Sequence, residues 1–99
     1  MARFDVYPAP DGRGYWLDVQ ADLLGALNTR LIVPLIPLDQ APIPARRLNP
    51  VFRIDGQDVV MTTQFLSAVL SSGLTRPVTS LADQSETVMA ALDMALIGF

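Results

Sequence analysis

Asp83-Gln84-Ser85-Glu86-Thr87-Val88-Met89-Ala90-Ala91-Leu92-Asp93-Met94-Ala95-Leu96-Ile97-Gly98-Phe99 closes the sequence and holds its strongest helical signal. Asp83 is placed to cap an N-terminus, Glu86 follows three residues on as in a capping box, and no Pro or Gly intervenes before Gly98. The spacing therefore predicts a helix from Asp83 to Phe99. At 100° per residue Val88, Leu92, Ala95, Leu96 and Phe99 share one arc with Met89 at its edge, the stripe that a core-facing helix needs. The opposite face holds Ala90, Asp93, Met94 and Ile97, and so is apolar as well. At roughly 25 Å this helix is too short an apolar run for a bilayer. Two readings of the second face stay open: a partner surface, or packing and scattered exposure within one small domain.

Upstream of the helix the signals are those of strands. Phe4-Asp5-Val6-Tyr7 alternates, the run Pro8-Ala9-Pro10-Asp11-Gly12-Arg13-Gly14 is dense in turn formers, and Tyr15 to Gln20 resumes with aromatic and β-branched residues, which predicts a first hairpin with a long tip. The pair Leu23-Leu24 stands where that chain turns toward solvent. Leu31-Ile32-Val33-Pro34-Leu35 reads as a third strand, and its proline, which cannot donate to a ladder, predicts an edge position or a bulge. A connection punctuated by Pro37, Pro42 and Pro44 leads to Val51-Phe52-Arg53-Ile54, the turn Asp55-Gly56, and Asp58 to Thr63, the clearest hairpin in the chain. Gln64 to Leu70 fits a helical period over too short a span to decide, and Arg76-Pro77-Val78 reads as extended. Strands followed by a terminal helix give one α+β domain over residues 1–99, a mostly antiparallel sheet closed or capped by one helix.

Composition narrows the chemistry. The chain is 51% hydrophobic and 17% charged, as globular domains are, with a net charge of −3. All seven cations are Arg, and they are scattered rather than gathered into a stripe, which disfavours direct nucleic-acid binding. His, Cys and Lys are absent, so no Ser–His or Cys–His arrangement exists and no disulfide framework holds the fold. Asp55, Gly56 and Asp58 imitate the start of a calcium loop, but the closing Glu is missing and a hairpin turn explains them. Asp18 and Asp22 are read as solvated acids at strand ends. Gly12 and Gly14 lie in a hairpin and not between a strand and a helix, so no phosphate loop or other cofactor site is expected. The N-terminus holds an acid and lacks an apolar run of signal length, which points to the cytoplasm. These residues favour a binding protein over an enzyme.

The chain also resembles, over nearly its full length, the CcdB family of toxins from bacterial toxin–antitoxin pairs. The resemblance rests on Phe4-Asp5-Val6-Tyr7, on Leu17 to Leu24, on Leu31-Ile32-Val33-Pro34-Leu35, on Val60-Met61-Thr62-Thr63, and on a terminal helix with Gly as the penultimate residue. It implies a homodimer with an SH3-like, mostly antiparallel β-barrel or sheet plus a C-terminal helix, as in the MazF-type ribonuclease toxins. It further implies a non-enzymatic poison that binds the A subunit of DNA gyrase and traps its cleaved-DNA complex, neutralised by an antitoxin whose tail is disordered until bound. The family ends in Trp-Gly-Ile where this sequence has Ile97-Gly98-Phe99, so only Gly98 is shared. Leu23 and Leu24 match an Ile pair that meets gyrase, and Asp93 matches an Asn. The resemblance thus implies a target surface of Leu23, Leu24, Asp93, Ile97, Gly98 and Phe99. The alternatives are a MazF-like endoribonuclease on the same fold and a non-toxic relative that only binds a partner protein.

Overall fold

The computed structural model describes residues 1–99. Seven strands form one antiparallel sheet: β1 (Asp5–Pro8), β2 (Tyr15–Asp18), β3 (Thr29–Pro37), β4 (Val51–Ile54), β5 (Gln57–Met61), β6 (Ser67–Leu70) and β7 (Thr79–Ser80). Their order is β4-β5-β3-β2-β1-β7, with β6 branching from β3, and the sheet curls into a nearly closed barrel stopped by a single helix, α1 (Ser85–Leu96). The α+β expectation is met.

Both predicted hairpins form. In the first, Val6 faces Leu17 and Tyr7 faces Trp16, while Gly12 takes φ +76° at the tip and Asp11 Oδ1 accepts the Arg13 N–H at 2.9 Å. Gly14 approaches β3 so closely that a Cβ there would lie 2.1 Å from the Leu35 carbonyl oxygen, which no side chain tolerates. In the second, Asp55 (φ 51°) and Gly56 (φ 78°) are both left-handed, the two-residue geometry whose twist matches that of the flanking strands. Gln64 to Leu70 resolves into a short 3-10 turn (Thr63–Phe65) followed by β6.

The third strand overturns the edge expectation. β3 is nine residues long and is the hub of the sheet, pairing with β2 along one side and with β6 and then β5 along the other. Pro34 is accommodated because it falls in the gap where β6 has ended, at Ile32, and β5 begins, at Leu35. Its carbonyl accepts both the N–H (3.0 Å) and the Oγ1 (2.8 Å) of Thr62, so this side of the backbone needs an acceptor there and no donor.

Alternation along the strands sends Val6, Leu17, Val33, Leu35, Phe52, Ile54, Val59 and Met61 inward, where they form one core with Leu81 and with Val88, Ala91 and Leu92 of α1. The outward face is buried as well along its middle: Tyr7, Asp18, Arg30, Ile32, Val60 and Thr62 are all inaccessible. The reading of Asp18 as a solvated acid therefore fails. Asp18 and Arg30 are diagonal neighbours on the outward face of β2 and β3, and with both faces covered neither charge reaches water. They pair instead, Arg30 Nε donating to Asp18 Oδ2 at 2.9 Å with Nη2 2.6 Å from the same oxygen. Burial pushes the Asp18 carboxyl above its ordinary value, while Arg30 and the Gln20 N–H draw it back only in part.

The helix is shorter than predicted. Ala82–Gln84 is a 3-10 turn, entered through a hydrogen bond from the Ala82 N–H to Ser80 Oγ (3.1 Å), and neither Asp83 nor Glu86 makes the predicted capping bond. At the other end the N–H groups of Ile97 and Gly98 both reach the Asp93 carbonyl, at 2.8 and 3.0 Å, and Gly98 turns the chain away with φ +95°. Its inward stripe is also shorter, since Val88 and Leu92 are buried and Met89 lies at the edge, but Ala95, Leu96 and Phe99 are exposed and Ala91 is buried in their stead. A helix of 12 residues outruns a barrel this size.

Candidate functional site

Because α1 outruns the barrel, its last turn stands clear of the body. Leu96, Ile97 and Phe99 are 70%, 60% and 74% exposed, a run of large apolar groups that nothing in the chain covers. Two apolar hollows flank it. One, of about 270 Å³, is walled by Leu24, Leu31, Leu66, Met89 and Leu92, with Asp93 and Arg3 as its charged members. The other, of about 560 Å³, runs between Met94, Ala95 and the Leu48, Thr63 and Gln64 region. Leu66 and Leu96 border both, so they form the ridge between them.

The second component comes from the β2–β3 connection. After β2 the chain makes a 3-10 turn, Asp22–Leu24, in which no residue is buried: Leu23 is 93% exposed and Leu24 45%. Together they offer apolar area to a partner, and burying one leucine is worth about 1.5–3 kcal/mol. The turn is held by polar contacts. Asp22 Oδ1 accepts the Arg3 N–H at 2.8 Å, and Gln20 Nε2 donates to the Leu24 carbonyl at 3.0 Å.

Arg3 forms one wall of the smaller hollow. Its Nε donates to the Val19 carbonyl (3.2 Å), its Nη2 points at Met89 Sδ (3.2 Å), and its guanidinium lies 5.1 Å from the centre of the Phe4 ring. The hollow is therefore apolar with one fixed cation and one half-buried carboxylate, Asp93, on its rim.

Of the six residues expected at a target surface, Leu24 and Asp93 share this hollow directly. Leu23 lies beside it on the same turn but projects into solvent, and Ile97, Gly98 and Phe99 continue from the end of the helix that forms its wall. The sequence reading missed Leu96, Leu31, Leu66, Met89 and Arg3 as lining groups. For Leu31 there was a signal, since it shares an inward face with Val33 and Leu35 yet lies beyond the packed interior. Periodicity puts Leu96 in the core stripe, and nothing in its spacing says where the barrel stops.

No group of His, Cys, Asp or Glu side chains is arranged to hold a metal ion, and no helix is long and apolar enough to cross a membrane. What this surface offers is apolar area at a protruding tip with a few polar groups around it, the composition of a protein-recognition site and not of a reaction centre. A family model described as CcdB protein matches residues 3–98. No curated protein matches the chain.

Proposed function

Since the chain belongs to the CcdB family, the non-enzymatic, gyrase-poisoning toxins of toxin–antitoxin systems, we propose that it meets the A subunit of gyrase through Leu23, Leu24, Asp93, Ile97, Gly98 and Phe99. The observation that carries this reading is the exposed helix end, Leu96 to Phe99, standing beside a hollow that Leu24 and Asp93 share. The family works without catalysis, so the ribonuclease alternative has no standing here and inhibition must come from binding. For a poison, the free energy of complementary burial is the whole mechanism: the toxin stabilises a state of its target that would otherwise be transient.

Each proposed residue has a physical part. Leu23 and Leu24 offer side chains already exposed, so binding them releases ordered water without first breaking a packed interior. Ile97 and Phe99 do the same from the helix end, with Phe99 supplying aromatic area in a family position otherwise held by Ile. Gly98, at φ +95°, sets the direction in which Phe99 leaves the helix. Asp93 is an acceptor at the rim and selects for a donor on the target. An antitoxin is the second partner that family membership brings, and we assign it a disordered tail that orders on binding.

In a gyrase assay that reads trapped, cleaved DNA, the unmodified protein should give the trapped complex. Leu24→Asp, which places a charge in an apolar contact without touching the core, should raise the concentration needed by at least about tenfold. An undiminished Leu24→Asp would remove this surface from the target contact.

We assign the protein a homodimeric state, formed through the larger hollow beside Met94, Ala95 and Leu96. Light scattering at micromolar concentration should return twice the chain mass, and melting temperature should rise with protein concentration. A monomer mass throughout that range would exclude it.

A further inference from the structure

We infer that Gln20 is a positioning residue for target recognition, the buried polar peg that holds the Asp22–Leu24 turn and so fixes where Leu23 and Leu24 point. The inference rests on the reading of that turn as part of the gyrase surface, and it adds a residue that acts through the placement of Leu23 and Leu24.

Gln20 is 3% exposed, unusual for a side chain this polar, and both ends of its amide are used. Oε1 accepts the Leu31 N–H at 3.1 Å and Nε2 donates to the Leu24 carbonyl at 3.0 Å, so a single side chain ties the turn to the hub strand β3. Its own N–H donates to Asp18 Oδ1 at 3.0 Å, and Asp18 is in turn paired with the buried Arg30. The peg is thus seated on a fully buried carboxylate. The turn, by contrast, buries nothing of its own and has no side-chain cap. Beyond its internal 3-10 bonds, Gln20 and the Asp22 contact with Arg3 are what fasten it. A recognition turn that owes its position to two polar ties loses its preorganisation when one is cut, and the lost ordering reappears as weaker binding.

Two variants cut the Gln20 tie: Gln20→Leu and Gln20→Met each fill the space and remove both bonds, the second with the longer and more flexible side chain. Each should weaken binding to the gyrase A subunit by about tenfold, the change that 1.4 kcal/mol produces. In a Leu23→Ala, Leu24→Ala background the same substitutions should change affinity by less than about twofold, because no side chains remain for the turn to aim. Hydrogen exchange gives a readout free of gyrase. The amides of Leu24, Gly25 and Leu27 should be more protected than that of Arg13 in the unmodified protein, and should lose that protection in Gln20→Met while the amides of β3 other than that of Leu31 keep theirs.

Equal losses in both backgrounds, full affinity in both single variants, turn amides that exchange as fast as Arg13 in the unmodified protein, or unfolding of both variants would each overturn the assignment. If the Leu23→Ala, Leu24→Ala protein itself binds gyrase undiminished, it is the surface reading that fails. The exchange data then still say whether Gln20 holds the turn.

Discussion

Deleting Ile97, Gly98 and Phe99 should abolish gyrase poisoning and leave the fold intact, with a loss of stability below about 1 kcal/mol. The expectation follows from where the helix leaves the barrel. Ile97 and Phe99 are 60% and 74% exposed, a Cβ on Gly98 would meet nothing, and the segment contributes only the two hydrogen bonds to the Asp93 carbonyl. Had Phe99 been part of the inward stripe, as periodicity predicts, truncation would have cost the several kcal/mol typical of emptying an aromatic site. The deletion is therefore a cleaner test than substituting Gly98. Gly98→Glu places a side chain at φ +95°, a conformation that costs about 1–2 kcal/mol for an L-residue, and the chain would relieve the strain by redirecting Phe99. A loss of activity in Gly98→Glu would then mix charge, bulk and direction. The measurement is gyrase inhibition against the circular dichroism melting curve of the truncated chain. Full poisoning by a folded protein ending at Leu96 would move the target contact off the tail.

The tail is the part of the proposed surface where this sequence departs most from the Trp-Gly-Ile ending that the resemblance implies, and the difference has a definite physical meaning. Replacing an indole by Ile97 removes an N–H donor and a flat aromatic face, while Phe99 returns aromatic area two residues later. The direction of that ring is set by Gly98 at φ +95°, so on the proposed surface the placement of the aromatic group depends on one backbone torsion. The neighbouring Leu96 is also exposed and lies on the ridge between the two hollows, beside the proposed contact.

Local signals in the sequence located the two hairpins, because Asp55-Gly56 and the Pro8 to Gly14 run specify turn geometry with residues only a few positions apart. They also located the helix and the inward half of its stripe. They did not locate its limits: Asp83 has the chemistry of a cap, but the chain enters through a 3-10 turn fastened by Ser80, and only the size of the barrel determines that burial stops after Leu92. Pro34 misled for a similar reason. A proline forbids one donor at one place, and whether that matters depends on which strand lies opposite, a fact of topology and not of pattern. Leu24 and Asp93 were expected at one surface and do share a hollow, although some seventy residues separate them in sequence. Gln20 was legible only as the end of a strand, since its role depends on a carbonyl and an N–H brought to it from the turn and from β3.

The buried ion pair is the feature least visible in the sequence and the one whose loss should be most costly to the fold. Arg30→Met keeps much of the volume of the side chain but strands the Asp18 carboxylate in a site with no access to water. The expected cost at neutral pH is about 3–5 kcal/mol, the range measured when one partner of a buried pair is removed, and a large part of the stability of a domain this size. The sign of its pH dependence follows from the direction in which Asp18 is shifted. Burial already raises its folded value above the ordinary 3.8, so its contribution is fully present below that value and is lost as pH rises through the folded one. Removing Arg30 takes away a group that draws the value down, which raises it further and widens the window. The deficit of Arg30→Met relative to the unmodified protein should accordingly be greatest near neutrality and shrink as pH falls toward 4, where the carboxyl accepts a proton and no charge is left unpaired. Urea unfolding at a series of pH values measures it directly. A deficit that stays constant across that range would mean that Arg30 stabilises the barrel through its packed side chain and not through its charge.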